Sequence, residues 1–333
     1  MSQKNKRSLE TIVLTGTAGF LGSSLLRNLE NDPHFPNLIA LDTKKPPFEL
    51  KKTKFFRIDL TETLADSKLV ELLKDQKVDT FIHMAFPVSP PHNLEWAHDL
   101  VSVGTMYVLN CCAALKVRKL IMASTTEVYG AHPSNPNFLP EDHRRRGGER
   151  SRFLRDKIDA EDQFFKYAKK HPGAIVTILR PCTVMGPNVR NYKTSFLQRP
   201  VLYTPMGYDP LFQFVHEEDV VRAFRLAIEK DCPGTYNIVG EGVMPISRVR
   251  KLAGKISVPV PSPVLYPVVQ ALWYAGILNA PSSRLNFLKY LSVADGERAK
   301  LIGFRPKYSS RDALLDFLGA ERLKKVHLME ETK

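Results

Sequence analysis

The stretch TIVLTGTAGFLGSSLLRNL, residues 11–29, changes its period halfway along. Its first five residues are β-branched or apolar and read as a buried strand, after which Leu21, Leu25, Leu26 and Leu29 fall on one face of a helix. Between strand and helix lie Gly16, Gly19 and Gly22, with Phe20 and Leu21 opening the helix. A glycine-lined turn of this kind lets backbone approach a pyrophosphate, and the helix N-terminus presents unpaired N–H groups and a positive dipole. Tight turns between strand and helix also use glycine where nothing binds, so neighbouring segments must decide between the two.

Three of them favour a dinucleotide. NLIALD ends at Asp42, about twenty residues beyond the last glycine, where the carboxylate that accepts from a ribose is expected. KFFRIDL ends at Asp59 and Leu60, where a strand-end carboxylate meets an adenine amino group, and VDTFIHMAF ends at His83-Met84-Ala85, with small Ala85 suited to close cofactor approach. Helical patterns such as LADSKLVELLKDQ alternate with these strands, implying right-handed βαβ units and a parallel sheet. The expected fold is therefore α/β, a Rossmann-type doubly wound parallel sheet with a smaller, mostly C-terminal substrate lobe. The dinucleotide-binding domain is placed at residues 8–185, with sheet elements also from about 210–240, and the lobe mainly at 186–333. Asp42 favours NAD over NADP because a carboxylate repels a 2′-phosphate; Lys44 and Lys45 partly offset that repulsion.

TGTAGFLG, HMAF, KLIMASTTEVYG, LRPCTVMGP and FQFVHEEDVVRA, in this order and spacing, resemble the extended short-chain dehydrogenase/reductase family over residues 11–240. The nearest group within it is the NAD-dependent nucleotide-sugar epimerases and dehydratases. The resemblance implies that Gly16, Gly19 and Gly22, with Phe20 and Leu21 among them, hold the cofactor's phosphates, Asp42 its ribose, and Asp59 with Leu60 its adenine. It makes Thr125 the hydrogen-bonding partner of the substrate hydroxyl, Lys157 the lysine of a Tyr-x-x-x-Lys pair, and Pro181 a neighbour of the nicotinamide carboxamide.

Two positions depart from that pattern. Val101 stands where the family has an asparagine, and Phe153 stands where it has the catalytic tyrosine. A phenol held near neutrality by a lysine acts as general acid or base, a role typically worth about 10²–10⁴-fold in rate. Without it, Lys157 keeps its second task of hydrogen-bonding the nicotinamide ribose. Phe153, Lys157, Ala160 and Phe164 share one helical face, which supports the assignment. Glu127 is the first replacement for the phenol, because STTEVYG resembles STDEVYG of dehydratases and the T-x-E pattern of nucleotide-sugar decarboxylases; a carboxylate tied up in a salt bridge is an equally open reading. Thr126 replaces the dehydratase aspartate, and His143 and Tyr129 are weaker candidates.

The rest of the chain bears on partners. A net charge of +13 comes without any nucleic-acid-binding signature, so no nucleic-acid partner is expected. The clusters KKTK (51–54), HRRRGGER (143–150) and ERLKK (321–325) read as basic surface. Cys111, Cys112, Cys182 and Cys232 lack metal-ligand spacing, no metal is expected, and the polar N-terminus shows no signal peptide, which together point to a reduced, cytoplasmic setting. Arg190, Lys193 and Arg199, in the proline-rich stretch GPNVRNYKTSFLQRPVLYTPMGYDP, offer donors to a substrate diphosphate. VPVPSPVLYPVVQALWYAGILNA (258–280) is apolar nearly all round, with Val268–Ala280 as its longest proline-free span. It reads as a buried helix of the lobe, or as a surface segment touching a bilayer or admitting a lipid-like substrate. The tail LKKVHLMEETK reads as a polar helix end, and a homodimer follows by analogy with the family. The leading expectation is an NAD-dependent enzyme acting on a nucleotide-linked sugar. The alternatives are a reductase of a hydrophobic substrate, like the 3β-hydroxysteroid dehydrogenases, and an NAD-binding sensor or scaffold with little catalysis.

Overall fold

The computed structural model describes the backbone of residues 11–331 and the side chains of 11–324. The N-terminal MSQKNKRSLE, the side chain of Lys325 in the basic cluster ERLKK and the side chains of most of the tail lie outside the described residues. β1 (Thr11–Thr15) is buried at all five positions, as a strand covered on both faces must be. After it come α1 (Phe20–Glu30), β2 (Leu38–Asp42), β3 (Thr53–Arg57), α2 (Ala65–Leu73) and β4 (Val78–His83). α3 (Leu94–His98) runs through a π-helical turn, Asp99–Val103, into α4 (Gly104–Ala114), followed by β5 (Lys119–Ala123), α5 (Arg152–Lys170) and β6 (Ile175–Pro181). Then follow β7 (Thr183–Met185), α6 (Tyr192–Gln198), β8 (Val201–Pro205), β9 (Leu211–Phe212), β10 (Phe214–His216), α7 (Glu217–Glu229) and β11 (Gly234–Ile238). The remainder comprises β12 (Met244–Pro245), α8 (Ile246–Ala253), β13 (Ile256–Val260), α9 (Ser262–Tyr274), α10 (Glu297–Leu301) and α11 (Ser310–Glu331).

Seven parallel strands form the central sheet in the order β11-β6-β5-β4-β1-β2-β3. The direction of winding reverses between β1 and β4, and at such a switch point a crevice opens beyond the carboxyl ends of the strands. One face of the sheet is covered by Leu25, Leu26 and Leu29 of α1 with Val220, Phe224 and Ala227 of α7. The other is covered by Leu69 of α2, Val108 of α4, and Ala160 and Phe164 of α5. The α/β, doubly wound architecture is as expected. A further core, built on Met185, Leu197, Phe214, Val249, Leu314 and Phe317, holds the lobe.

α5 is tied to the sheet by a buried ion pair. Glu161 is fully buried and accepts from Arg180 Nε and Nη2 at 2.8 and 2.6 Å, from Arg145 at 3.1 Å, and from the Ser124 hydroxyl. Arg180 Nη1 also donates to the Tyr129 oxygen at 2.8 Å, and that hydroxyl donates to Asn237 of β11 at 2.7 Å. His216 and Asp219 support the lobe: the His216 ring accepts the Glu218 N–H at the start of α7, and Asp219 accepts the N–H groups of Lys307 and Tyr308.

Two expectations about the lobe need correction. The proline-rich stretch after residue 185 is more regular than its composition suggests. Asn191 caps α6 by accepting the N–H groups of Lys193 and Thr194, the Thr194 hydroxyl oxygen accepts in turn from Asn191 N–H, and β8 pairs in parallel with β13. The apolar segment 258–280 is not a buried helix. α9 begins six residues before the proline-free span and carries Pro267 within it, and only Leu265 and Trp273 are buried. Val264 and Val268 are about half exposed, at 54% and 49%. Pro267 is tolerated because the N–H it lacks would pair only with the carbonyl of Pro263, in the first turn, on a helix that faces solvent. Among the described residues no helix is long and apolar enough to cross a membrane.

Glu161→Gln should test the clamp on α5. Removing one partner of a buried, hydrogen-bonded pair costs about 3–5 kcal/mol, so the variant's urea midpoint should fall with little change in slope. A midpoint within error of the parent would show that the pair does not hold the helix.

Candidate active site

The glycine turn has the geometry that its sequence requires. Gly16 adopts φ +73°, and a Cβ there would lie 2.5 Å from the carbonyl oxygen of Met84. A Cβ on Gly22 would lie 2.0 Å from the Gly16 oxygen. Both positions therefore exclude any larger residue. Gly19 caps α1 without a side-chain hydrogen bond and no acidic residue occupies the first turn, so the helix presents bare N–H groups and an uncompensated dipole. Asp42, at the tip of β2, accepts from Ala18 N in this turn at 2.9 Å and from Thr43 N at 2.7 Å. The carboxylate is thus fixed beside the glycine turn. These are the features a dinucleotide needs, and the chain supplies them from its own backbone.

Gly16, Gly19, Phe20, Leu21 and Gly22 line one cleft together with Thr125, Glu127, Phe153, Lys157 and Pro181. The expected residues not on its lining are Asp42, Asp59, Leu60, Ala85, Arg190 and Arg199. Asp59 accepts from Thr61 N at 2.9 Å just beyond β3, Leu60 packs into the core against Gly104, and Ala85, in the loop after β4, packs against the same core with its backbone beside Gly16. Arg190 and Arg199 are exposed, and Arg199 instead lines a separate apolar cavity.

Lys157 is buried. Its ammonium lies 3.4 Å from the centre of the Phe86 ring and 3.3 Å from the Ala123 carbonyl oxygen, to which it donates. Burial pushes its pKa down to about 7, against the opposing pull of Glu161 and Glu127. The neighbouring His83 is fully buried and neutral, its pKa pushed down to about 3 by burial and then by Lys157. Its ring bonds the hydroxyls of Thr15 and Thr105, so it serves the core.

Glu127 stands at the centre of a buried cluster. One carboxylate oxygen accepts from the Tyr192 hydroxyl at 2.6 Å and from Lys193 at 2.9 Å, and the other accepts from Arg284 at 2.5 Å. Burial alone would raise its pKa, but Lys193, Arg284 and the Tyr192 hydroxyl outweigh it and bring it down to about 2. At neutral pH Glu127 therefore has no proton to give and little affinity for one. Arg284 also lies over the Phe153 ring, 5.4 Å from its centre. Neither Tyr192 nor Arg284 was picked out from the sequence. Tyr192 follows a helix-capping asparagine, which could have marked it; Arg284 lies in the 3₁₀ helix Ser282–Leu288 and has no local signal. Tyr129 is removed from the chemistry, because its hydroxyl is fully engaged with Arg180 and Asn237 inside the core.

The sheet order and its switch point define an α/β protein of the doubly wound class. Within that class, residues 12–239 match the model of the NAD dependent epimerase/dehydratase family, and the chain belongs to it. Among its relatives is Rv0501 of Mycobacterium tuberculosis, 27% identical over 316 residues that cover 92% of this chain and 83% of that protein. Two solved structures share the fold over almost the whole chain. MoeE5, in complex with UDP-glucuronic acid and NAD, has a TM-score of 0.73 at 21% identity, covering 94% of this chain and 99% of that one. DesIV, a dTDP-glucose 4,6-dehydratase from Streptomyces venezuelae with NAD and TYD bound, has a TM-score of 0.74 at 19% identity, covering 95% and 98%.

The depressed pKa of Lys157 has a measurable consequence. In the unfolded chain the group keeps its proton up to its ordinary value of 10.5, while in the fold it loses it near 7. Between these values the unfolded state binds the extra proton, so this group makes stability rise with pH across the window; below pH 7 its penalty is fully present. Unfolding free energies of the ligand-free protein and of Lys157→Met, measured from pH 6 to 10.5, should show the parent gaining a few kcal/mol on the variant between pH 7 and 10.5. Parallel curves would place the proton loss elsewhere.

Proposed function

We propose that this protein holds NAD in the cleft and oxidises a hydroxyl-bearing carbon of a nucleotide-linked sugar placed at Thr125, or in reverse reduces the corresponding carbonyl, using an amine in place of the family's phenol. One observation carries the reading: the glycine turn, Thr125 and Lys157 line a single cleft together with Phe153, the residue that the family resemblance aligns with the tyrosine. The UDP-glucuronic acid bound to MoeE5, and the dTDP-glucose named in the activity of DesIV, support the substrate class. Gly16, Gly19 and Gly22, with the N–H groups of Phe20 and Leu21, would hold the pyrophosphate, Asp42 the adenosine ribose, and Asp59 with Leu60 the adenine edge. Ala85 and Pro181 would flank the nicotinamide end. Asp42 favours NAD over its 2′-phosphorylated form. When bound, NAD supplies the hydride acceptor, or in its reduced form the donor.

The chain's own residues do the rest. Thr125 is extended, and its oxygen accepts only a long 3.3 Å bond from Glu127 N, which leaves its proton free to donate to a substrate oxygen. Lys157 titrates near neutrality, so part of the population has a free amine at pH 7 to take the hydroxyl proton. Glu127, always ionised, anchors Arg284 and Lys193 and fixes the wall of the cleft. A second reading has Phe153 as its own support: an NAD-binding protein with little turnover, from which the proton acceptor has been lost.

Calorimetry with NAD comes first, and absence of affinity for either redox form would sink both readings. Turnover of a panel of UDP- and dTDP-sugars, followed at 340 nm and by product analysis, then separates them. On the enzymatic reading, Lys157→Met loses about 10²–10⁴-fold, Glu127→Gln retains far more, and the oxidation rate climbs with pH through about 7. On the sensor reading the parent is silent and Phe153→Tyr creates activity.

A further inference from the structure

The exposed side of α9 carries no charge. Pro263, Val264, Pro267, Val268, Ala271 and Tyr274 face solvent at helical spacing, and SPVLYPVVQALWY contains no Asp, Glu, Lys or Arg. A solvent-facing helix ordinarily turns charged or polar residues outward. Tyr274 is 80% exposed, and Ile277 beyond it also stands in solvent. The apolar stripe continues onto the ribbon of β8 and β13. Leu202 and Thr204 are buried, while Tyr203, Ile256 and Val258 are exposed, with Tyr203 directly opposite Val258. Tyr203, Val264 and Val268 border one opening, so helix and ribbon present a continuous apolar face. Soluble proteins seldom expose such a face unless something covers it.

The charge around it has one sign. Residues 188–208 and 242–294, which supply α6, α8, α9 and both strands of the ribbon, contain no Asp or Glu. The strands are parallel and Val201 sits opposite Ile256, so Arg199 and Lys255 lie together at the start of the ribbon. There the Lys255 ammonium donates to the Gln198 carbonyl oxygen at 3.2 Å. Lys251 is exposed in the last turn of α8, just before them. Past the other end of β8, Lys289 stands over the ring of Tyr208, 4.7 Å from its centre. The acidic groups that reach these elements are occupied: Asp209 accepts from Ser247 at the start of α8, and Glu321 accepts from Gln198 and Lys324. Cations therefore frame the apolar face at both ends of the ribbon.

We propose that this face docks on an anionic lipid surface, the stripe entering the head-group layer and the framing cations meeting lipid phosphates. Segments that lie in a membrane interface bind through these two contributions together, buried apolar area and attraction to anionic lipid. Tyrosine, apolar in its ring and polar at its tip, suits that depth. A second copy of the chain fits poorly, because a two-fold contact through this face would set its cations against the same cations. A folded protein partner ordinarily makes about one hydrogen bond per 100–200 Å² of interface. The exposed stripe has little to offer one, since the helix backbone is bonded internally and its outward side chains are hydrocarbon apart from tyrosine hydroxyls. The inference goes beyond the proposed redox reaction and does not depend on NAD or a sugar being bound.

The test is flotation of the intact chain with vesicles of phosphatidylcholine alone, and of phosphatidylcholine with about one-third phosphatidylglycerol. The protein should float with the anionic vesicles and not with the neutral ones, and raising salt to about 0.5 M should weaken the binding by screening the charges. Arg199→Gln with Lys251→Gln should weaken it about fivefold for each charge removed. Val264→Asp with Val268→Asp should weaken it by more than about tenfold. All four residues are exposed, and circular dichroism with NAD calorimetry reports separately on the fold and the cofactor site of each variant. The inference is overturned if anionic vesicles bind no more of the parent than neutral ones do, or if the folded Val264→Asp, Val268→Asp protein binds as the parent does. It is equally overturned if sedimentation without lipid shows a dimer that these two substitutions dissolve, which would give the face to a second copy.

Discussion

The pairing of Glu161 with Arg180 is the constraint on which the site depends. Each charge is removed from water, a transfer that costs several kcal/mol per ion unless geometry and further hydrogen bonds compensate. Here they do: the carboxylate meets two guanidinium nitrogens of Arg180, a second arginine and a serine hydroxyl, and Arg180 meets a tyrosine oxygen and the Glu141 carbonyl. Ser124 immediately precedes Thr125, Glu161 lies one turn beyond Lys157, and Tyr129 reaches β11 through Asn237. One network therefore sets the end of β5 and the axial position of α5, and with them the placement of the Thr125 hydroxyl and the Lys157 amine in the cleft.

Beside that satisfied network sits one that is deliberately unequal. Lys157 is buried with an aromatic face and a carbonyl for company, and desolvation wins over the two glutamates that would hold its proton. Glu127 shows the opposite balance, because three donors overcome the same desolvation. The two groups thus diverge in proton affinity although both are enclosed. Phe153 contributes by subtraction: a ring without a hydroxyl offers no acceptor to Arg284, and that leaves the guanidinium with N–H groups to spare.

The dinucleotide half was legible in the sequence because its rules are local. A buried strand, a turn that admits only glycine and a helix with a leucine stripe are each specified within a few residues, and Asp42 is placed by strand length alone. Lys157 is identified through the family resemblance, and its helical spacing supports the assignment. The cluster around Glu127 could not be read that way, since Arg284 lies 157 residues away in sequence and nothing in SSRLNFL marks it. Composition identifies cations but not the direction they take: Arg190 and Arg199 flank α6 and are exposed, while Lys193, in its first turn, reaches Glu127. The segment after residue 258 defeated the reading of its prolines, because position within a helix, and not the residue alone, decides what a missing N–H costs.

α9 is also joined to the cleft by an aromatic contact. The ring of Trp273 stacks on His92 with centres 3.6 Å apart, and His92 ends the loop that descends from β4 through Phe86, Pro87 and Val88. The Tyr192 N–H donates to Ser89 in the same loop at 3.2 Å. The outer helix, the loop and the aromatic seat of the Lys157 ammonium are therefore joined in one run of contacts, and the surface of the lobe shares its support with the buried amine.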